Sequence, residues 1–365
     1  MSLALQGVSK LYHGEPALLD VSLEVPKGQS CALIGPSGSG KSTLLKLVNR
    51  MVEPSAGKIY VGGVDNQSLP PEQLRRGIGY VIQEIGLFQH RTLAENVATV
   101  PKLLGWPKAK IRSRVDELLA LVGLEPSRYR SLYPRQVSGG QQQRVGVARA
   151  LAADPPLLLM DEPFGALDPP TRERLGDELL KIQAELKKTV LLVTHDLDEA
   201  LRLADSIAVI GAGRLRQVAP PAELLRYPAD GFVRGFLGPE RGMKALGFVS
   251  LGQKFSDKPP LLADTDSPER VAWVLAEGGA ERAFVADHSG KLIGYVDSED
   301  LQAGPPWSSH HDPAEVAVSE GASLREVLAA TVRTGMRGLA VINPGGQVLG
   351  WVRPKDLTNA LEELA

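Results

Sequence analysis

Cysteine is almost missing from this chain of 365 residues: Cys31 is the single one. That excludes an intrachain disulfide framework and any metal site built on several thiolates. Net charge is equally scarce. Forty-one Lys and Arg oppose 43 Asp and Glu, a balance of −2, so the whole-chain charge marks neither nucleic acid nor acidic lipid as a partner. Nowhere do about 18 apolar residues follow one another. The opening MSLALQGVSKLYHGE has no basic segment leading into a long apolar core. The expectation is a cytoplasmic protein whose membrane contact, where it has one, is peripheral. What is present is ordinary globular composition, 43% hydrophobic and 23% charged, in a length that fits two or three domains.

The charge is unevenly shared. Residues 246–365 hold 10 basic and 17 acidic side chains, net −7, against 31 and 26, net +5, in residues 1–245. In the first 240 residues short aliphatic runs, IGYVI (78–82), LLLM (157–160) and TVLLVT (189–194), alternate with helical patterns such as KIRSRVDELLALVGL (110–124). The alternation predicts an α/β domain with a largely parallel sheet over 1–240. Sequence rich in Gly and Pro follows (GPERGMKALGF, then DKPPLL), and a linker is expected over 241–260. The remainder, 261–365, repeats itself. SPERVAWVLAEGGAERAFVADHSGKLIGYVDSEDL from Ser267 aligns without a gap on SLREVLAATVRTGMRGLAVINPGGQVLGWVRPKDL from Ser323, so Gly294 matches Gly350 and Asp300 matches Asp356 at an offset of 56. Each copy, about 261–304 and about 312–365, reads as helix, strand, Gly turn, strand and a helix starting at the Asp. A unit this small buries little surface alone, so the copies are expected to pack on each other as one domain.

Three segments carry chemistry. GPSGSGKST (Gly35, Pro36, Ser37, Gly38, Ser39, Gly40, Lys41, Ser42, Thr43) follows the strand-like SCALI and opens the helix-like STLLKLVNR, the setting a phosphate-binding loop requires. Glycines let backbone amides converge on phosphate oxygens, and the helix N-terminus adds partial positive charge. Lys41 is placed for the β- and γ-phosphates and the Ser42 hydroxyl for Mg²⁺. LLLMDEP (157–163) is an apolar strand ending in two carboxylates, where α/β folds place ligand chemistry. Asp161 suits the Mg²⁺ shell through water, and Glu162 the polarisation of an attacking water. Read alone, Asp-Glu-Pro has the alternative role of a cap for the next segment. VSGGQQQRVGVARAL (137–151) sets two glycines before a helical pattern. Ser138, Gly139 and Gly140 are therefore a second candidate anion site, or simply a helix start capped by serine. In a normally ordered sheet they do not reach the phosphate held by Lys41. Cys31 is read as a small hydrophobe in the strand before the loop.

Together these residues resemble the ATP-binding cassette ATPases, over about residues 1–240. GPSGSGKST matches that family's Walker A, LLLMDE its Walker B and VSGGQ its signature, with Val137 where Leu is commoner. The resemblance implies a P-loop ATPase domain with a helical subdomain (about 85–155), using ATP and Mg²⁺. It implies a homodimer in which the signature of one subunit, Ser138 to Gln141, closes over ATP held by the Walker motifs of the other. It further implies that Gln83, in GYVIQEIGLF, touches Mg²⁺ and water and reports to a membrane subunit. By the same resemblance Asp168, in FGALD, is the D-loop acid, His195, in LLVTHD, is the switch histidine, and Tyr12 stacks on adenine. Gly165 stands where many members have Ser. With no segment able to span a bilayer, transport needs other chains: two permease subunits and a substrate-binding protein or domain, with this chain on the cytoplasmic face of the membrane. One cassette per chain, and 97 residues from Lys41 to Ser138, disfavour the translation-factor and chromosome-maintenance relatives.

Residues 75–111 and 133–172 are similar to importers of osmoprotectant quaternary amines such as glycine betaine, carnitine or choline, although Gln89 stands where Pro is frequent. The rival readings are an importer of other amino acids and a non-transport nucleotide switch whose C-terminal half serves dimerisation. The repeat resembles a tandem of CBS domains, an α+β regulatory appendage. In nucleotide-binding members a G-h-h-[ST]-x-x-D segment places the acid on a ribose hydroxyl and the hydroxyl side chain near phosphate. GYVDSED and GWVRPKD keep Asp300 and Asp356 but carry Asp297 and Arg353 at the hydroxyl position. Asp297 repels a phosphate and Arg353 attracts one. At most one copy is then competent for an adenosine nucleotide such as cyclic di-AMP, with Asp300, Arg353 and Asp356 as the candidate contacts. Alternatively the two acids only cap the last helix of each repeat, or a basic face senses ionic strength at anionic lipid, against which the net −7 stands. No nucleic-acid partner is expected.

Overall fold

In the computed structural model, which describes residues 3–82, 86–165, 167–252, 255, 259, 261–278, 282–309, 311–335 and 338–362, the chain folds as two units, Met1–Gly238 and Pro239–Ala365. The strands of the first unit are β1 (Leu3–Tyr12), β2 (Glu15–Val25), β3 (Ser30–Ile34), β4 (Ala56–Val61), β5 (Val64–Asp65), β6 (Ile78–Val81), β7 (Leu157–Asp161), β8 (Thr189–Val193), β9 (Ser206–Gly211) and β10 (Arg214–Ala219). The larger sheet has the order β10-β9-β3-β8-β7-β6, parallel from β9 to β6, with β10 antiparallel to β9. β3, β7 and β8 are buried along their whole length, which is why their sequence is aliphatic without alternation. Their side chains still sort by parity. Leu157, Leu159, Leu191 and Val193 pack on one face with Leu44, Leu45 and Leu47 of the helix Lys41–Val48. Leu158, Met160, Val190 and Leu192 pack on the other, with the helices Lys108–Leu121, Gly139–Leu151 and Pro169–Leu186.

The smaller sheet, β2-β1-β4-β5, is antiparallel and shares the first of those cores through Leu3, Leu5, Leu18 and Val25. Cys31 lies in that core, its thiol pushed up to about 11 by burial, so it packs as a small hydrophobe and is protonated at neutral pH.

The second unit contains β11 (Leu261–Ala263), β12 (Arg282–Ala286), β13 (Leu292–Asp297), β14 (Ala317–Ser319), β15 (Leu339–Ile342) and β16 (Val348–Val352). Its two three-stranded sheets, β11-β12-β13 and β14-β15-β16, have one register repeated at an offset of 56. Leu261 pairs with Phe284 as Ala317 does with Ala340, and Ala283 pairs with Val296 as Leu339 does with Val352. Even the irregularity recurs, after Val285 and after Val341. The copies meet at their hairpin turns, where the Leu292 N–H donates to the Gly346 carbonyl and the Val348 N–H to that of Gly290. These are the same bond seen from either copy.

Two expectations need correction. Residues 241–252, expected as linker, fold onto the second copy: Arg241–Ala245 is helical, and Leu246 and Leu251 are buried with Leu324 and Leu339. The Leu251 N–H donates to Ala322 and the Leu324 N–H to Val249. The Gly-rich composition concealed two apolar anchors. The last helix of the repeat forms in the second copy as Pro354–Glu362 but in the first is a single 3₁₀ turn, Asp300–Gln302. Gly304-Pro305-Pro306 cannot continue it, and the chain turns back to bury Trp307, whose indole N–H donates to the Asp266 carbonyl at 2.8 Å.

Leu251→Ala is expected to cost about 2–5 kcal/mol in urea unfolding, whereas Phe248→Ala, at a side chain 42% exposed, should stay within about 0.5 kcal/mol of the parent. Equal costs would mean that the segment is a free linker after all.

Candidate functional site

β3 delivers the chain into a loop whose glycines are required by backbone geometry. Gly35, Gly38 and Gly40 have φ of 151°, 77° and 103°. A Cβ on Gly35 would lie 2.0 Å from the carbonyl oxygen of Ile210, and one on Gly40 2.6 Å from that of Ala17. The loop is thus wedged between β9 and β2, and no other residue fits at either place. The helix Lys41–Val48 begins at Gly40 without a side-chain cap, so its first amides are left to serve an anion.

Lys41 is buried, and its ammonium donates to the carbonyls of Gly35 at 2.8 Å and Pro36 at 2.9 Å, which aims it into the loop. Burial pulls its pKa below the ordinary lysine value, and Glu162 and Asp161 work against that shift. Ser42 Oγ donates to Asp161 Oδ1 at 3.2 Å. Burial also raises the Asp161 carboxyl, with Glu162 adding to the rise and the Ser42 bond opposing it. A hydroxyl and a carboxylate held together in half-buried ground present oxygen donors alone, which fits Mg²⁺.

Glu162 follows directly at φ 45°, a region unfavourable for L side chains. Its N–H donates to the Val193 carbonyl at 2.9 Å, and the turn brings Oε2 to 3.3 Å from His195 Nδ1. Behind the histidine lies a polar network that the motifs did not single out. Thr194 Oγ1 donates to Glu199 Oε2 at 3.0 Å, and Arg172 pairs with Asp196 at 2.9 Å. Arg172 stands in the first turn of the helix capped by Asp168, so the network joins that helix to the histidine turn. Burial pushes Glu199 up to about 7, against the pull of Thr194 and Arg172 and with the help of Asp196 and Glu162. The sequence THDLDE offers three acids after the histidine with no mark of which turns inward.

The signature residues lie elsewhere on the chain. Ser138 Oγ accepts from the Gln141 N–H at 3.3 Å and Gln141 Oε1 from the Ser138 N–H at 3.0 Å, a capping box, so the serine cap does form. Ser138, Gly139, Gly140 and Gln141 line a polar cleft of about 450 Å³ together with Asp168 and Arg174. Lys41, Ser42 and Glu162 do not line it. Asp168 accepts from the Thr171 N–H, and its bonding to Thr171 holds its carboxyl below the usual range. The fold therefore keeps the phosphate loop and the signature cleft apart within one chain. Tyr12, 40% exposed beside Lys10, ends the first strand of the hairpin whose second strand approaches Gly40. Gln83 lies outside the described residues. In the second unit Asp300 accepts from the Asp297 N–H at 2.8 Å and Asp356 from the Arg353 N–H at 2.9 Å; the latter bond lies at the start of the helix Pro354–Glu362, whereas the turn Asp300–Gln302 has no side-chain cap.

Glu199 should be visible in stability. Its folded pKa of about 7 exceeds its ordinary 4.5, so the folded state holds a proton that the unfolded chain releases. Stability then falls as pH rises from 4.5 through 7 and levels off above. The whole effect is at most about 3 kcal/mol, less with solvent screening. Glu199→Gln cannot ionise and is expected to melt above the parent at pH 8, the gap narrowing toward pH 5. Parallel melting at both values would contradict a buried, protonated Glu199.

A family model described as ABC transporter matches residues 18–165, and one described as CBS domain matches residues 311–363. The chain is 41% identical over 363 residues to the glycine betaine/carnitine/choline transport ATP-binding protein of Bacillus subtilis (strain 168), covering 98% of this chain and 95% of that one. It is 42% identical over 351 residues to the osmoprotectant import ATP-binding protein of Salmonella typhimurium, covering 96% and 92%. Among solved structures, the dimeric post-hydrolysis state of the ATP-binding cassette MJ0796 bound to ADP and Pi has a TM-score of 0.54 at 35% identity, over 60% of this chain and 98% of that one. With a phosphate loop, paired carboxylates and a signature helix in one α/β unit, and with likeness to ATP-binding subunits over nearly its whole length, the chain belongs to the ABC transporter family.

Proposed function

We propose that this protein is the ATP-hydrolysing subunit of an importer of osmoprotectant quaternary amines such as glycine betaine, carnitine or choline. It works as a homodimer beneath two permease subunits on the cytoplasmic face of the membrane, with a substrate-binding protein or domain presenting the cargo. The ATPase reading is carried by one observation: Lys41, the Ser42–Asp161 pair and the Glu162–His195 contact at 3.3 Å gather at the carboxyl ends of β3, β7 and β8. The cargo reading is supported by likeness over 98% of the chain to a protein named for these amines. Among the described residues no helix is long and apolar enough to cross a membrane, so in this reading the pore belongs to other chains.

Phosphoryl transfer asks the protein mainly to position groups and offset charge. Amides of the Gly35–Gly40 loop and of the following helix take the phosphate oxygens, with Tyr12 against adenine. Lys41, whose partners are neutral carbonyls, gains charged acceptors in the β- and γ-phosphates. Ser42, Asp161 and Gln83 would hold Mg²⁺, which supplies charge neutralisation on the phosphates. Glu162 accepts the proton of the attacking water, and His195 keeps that carboxylate in place. Ser138, Gly139, Gly140 and Gln141 of the second copy close over the γ-phosphate with Asp168 beside them. ATP thus favours the closed pair, and hydrolysis releases it.

The C-terminal tandem is the regulatory input in this reading. Arg353, with Nε 3.4 Å from Asp356 Oδ2, is the group suited to a phosphate of cyclic di-AMP or another adenosine nucleotide, and Asp356 is the acceptor for ribose. At Asp300 the neighbouring Asp297 opposes the same ligand.

Glu162→Gln is the direct test. The variant is expected to bind MgATP like the parent and to hydrolyse it at least about a hundredfold more slowly. Undiminished turnover would remove Glu162 from the chemistry.

A further inference from the structure

The two CBS copies differ most at the end of their last strand. In the second copy Arg353 and Asp356 form an internal ion pair, and the helix Pro354–Glu362 continues beyond them. In the first copy the position equivalent to Arg353 is Asp297, so two carboxylates stand where an ion pair would be. The helix is also cut short there, at Gln302, and the returning chain brings His311 back against Asp300. One ligand atom from each of Asp297, Asp300 and His311 lies within 4.8 Å of the others, and all three side chains are partly buried. His311 Nε2 is 3.0 Å from Asp300 Oδ2, and Asp300 is only 12% exposed.

Neighbouring groups hold the three in place. His311 stacks on Tyr295, with ring centroids 4.2 Å apart and 10° between planes. The Tyr295 hydroxyl donates to Glu315 at 2.9 Å, and the Asp297 N–H donates to Asp300. Arg282 lies over Tyr295 and comes within 4.0 Å of Asp297. Among the described residues, Asp297 and Asp300 thus stand beside Arg282 and His311, and Glu315 is tied to them through the Tyr295 hydroxyl. Carboxylates and an imidazole packed this closely in half-buried ground are suitable ligands for a cation, and Asp297 stands in the first copy where the second has Arg353.

We propose that Asp297, Asp300 and His311 bind a divalent transition-metal ion, Zn²⁺ or Mn²⁺. An imidazole beside two carboxylates selects first-row ions over Mg²⁺ and Ca²⁺, which prefer oxygen alone. The stacked tyrosine and the Asp297 amide orient the ligands as supporting groups do in metal sites. Three protein ligands leave coordination positions for water or for an added anion. The same arrangement explains why the truncated helix and Asp297 occur in the same copy: one delivers the histidine and the other the second carboxylate. The ATP site is a separate matter, since this cluster lies wholly within the second unit.

Full-length protein, stripped with chelator and free of nucleotide, would be dialysed against Zn²⁺, Mn²⁺ or Mg²⁺ and its metal content measured. The expected result is one equivalent of Zn²⁺ or Mn²⁺ per chain, not displaced by excess Mg²⁺. Asp297→Asn and His311→Gln should each weaken it at least about tenfold while leaving basal ATP hydrolysis unchanged. Independently of any variant, the spin-echo spectrum of bound Mn²⁺ must carry coupling to an imidazole nitrogen. Parental affinity in both variants, a spectrum without nitrogen, or no stoichiometric uptake would each overturn the site; in the last case His311 is simply the ion-pair partner of Asp300.

Discussion

The proposed ATP site rests on three strands lying side by side and parallel. In β3, β8 and β7 the residues Leu33, Val193 and Asp161 form one row across the sheet. Immediately past that row the chain becomes, in turn, the glycine loop, Thr194 with His195, and Glu162. Hydrogen-bond register therefore sets the spacing between the phosphate loop, the carboxylates and the histidine. A slip of one residue in β7 would turn Asp161 from one face of the sheet to the other and part it from Ser42. The apolar packing that makes these strands buried on both faces is what prevents the slip.

The same sheet keeps the signature helix away. Gly139–Leu151 packs across the opposite face, with Leu158 and Met160, and opens into its own cleft with Asp168. In the proposed mechanism, a helix start offered to an anion and a phosphate loop that do not converge within one chain are each completed by another copy. The polar ties from Arg172 to Asp196 and from Thr194 to Glu199 join the helix that begins at Asp168 to the turn carrying His195.

Much of this was legible in the sequence, for reasons that differ by residue. The glycine loop, Lys41, Ser42, Asp161 and Glu162 are constrained by phosphate chemistry and by backbone conformations that few residues tolerate, so their pattern is visible in the chain itself. The 56-residue repeat was equally plain, because paired strands need matching side chains at each register position. The buried network was not. Glu199 and Arg172 look like surface charges until the helices carrying them are oriented, and the inward turn of one acid among three leaves no trace in composition. Leu246 and Leu251 carry no signature in the sequence because two anchors among glycines have no period. The broken helix of the first repeat is written in Gly304-Pro305-Pro306, beyond Leu301, where the gapless correspondence of the copies ends. His311 lies beyond the point where the copies correspond, so its meeting with Asp300 depends on a turn that only three-dimensional structure reveals.

The central claim is that each ATP is enclosed by the phosphate loop of one copy and the signature of another. Mixing chains that carry Lys41→Ala with chains that carry Ser138→Arg, each inactive alone, tests it most directly, read as ATP hydrolysis after subunit exchange. A site shared between copies predicts that activity returns, because the mixed pair contains one intact phosphate loop facing one intact signature. Activity that stays at the level of the separate variants, although mixed pairs are shown to form, would mean that the site is complete within a single chain.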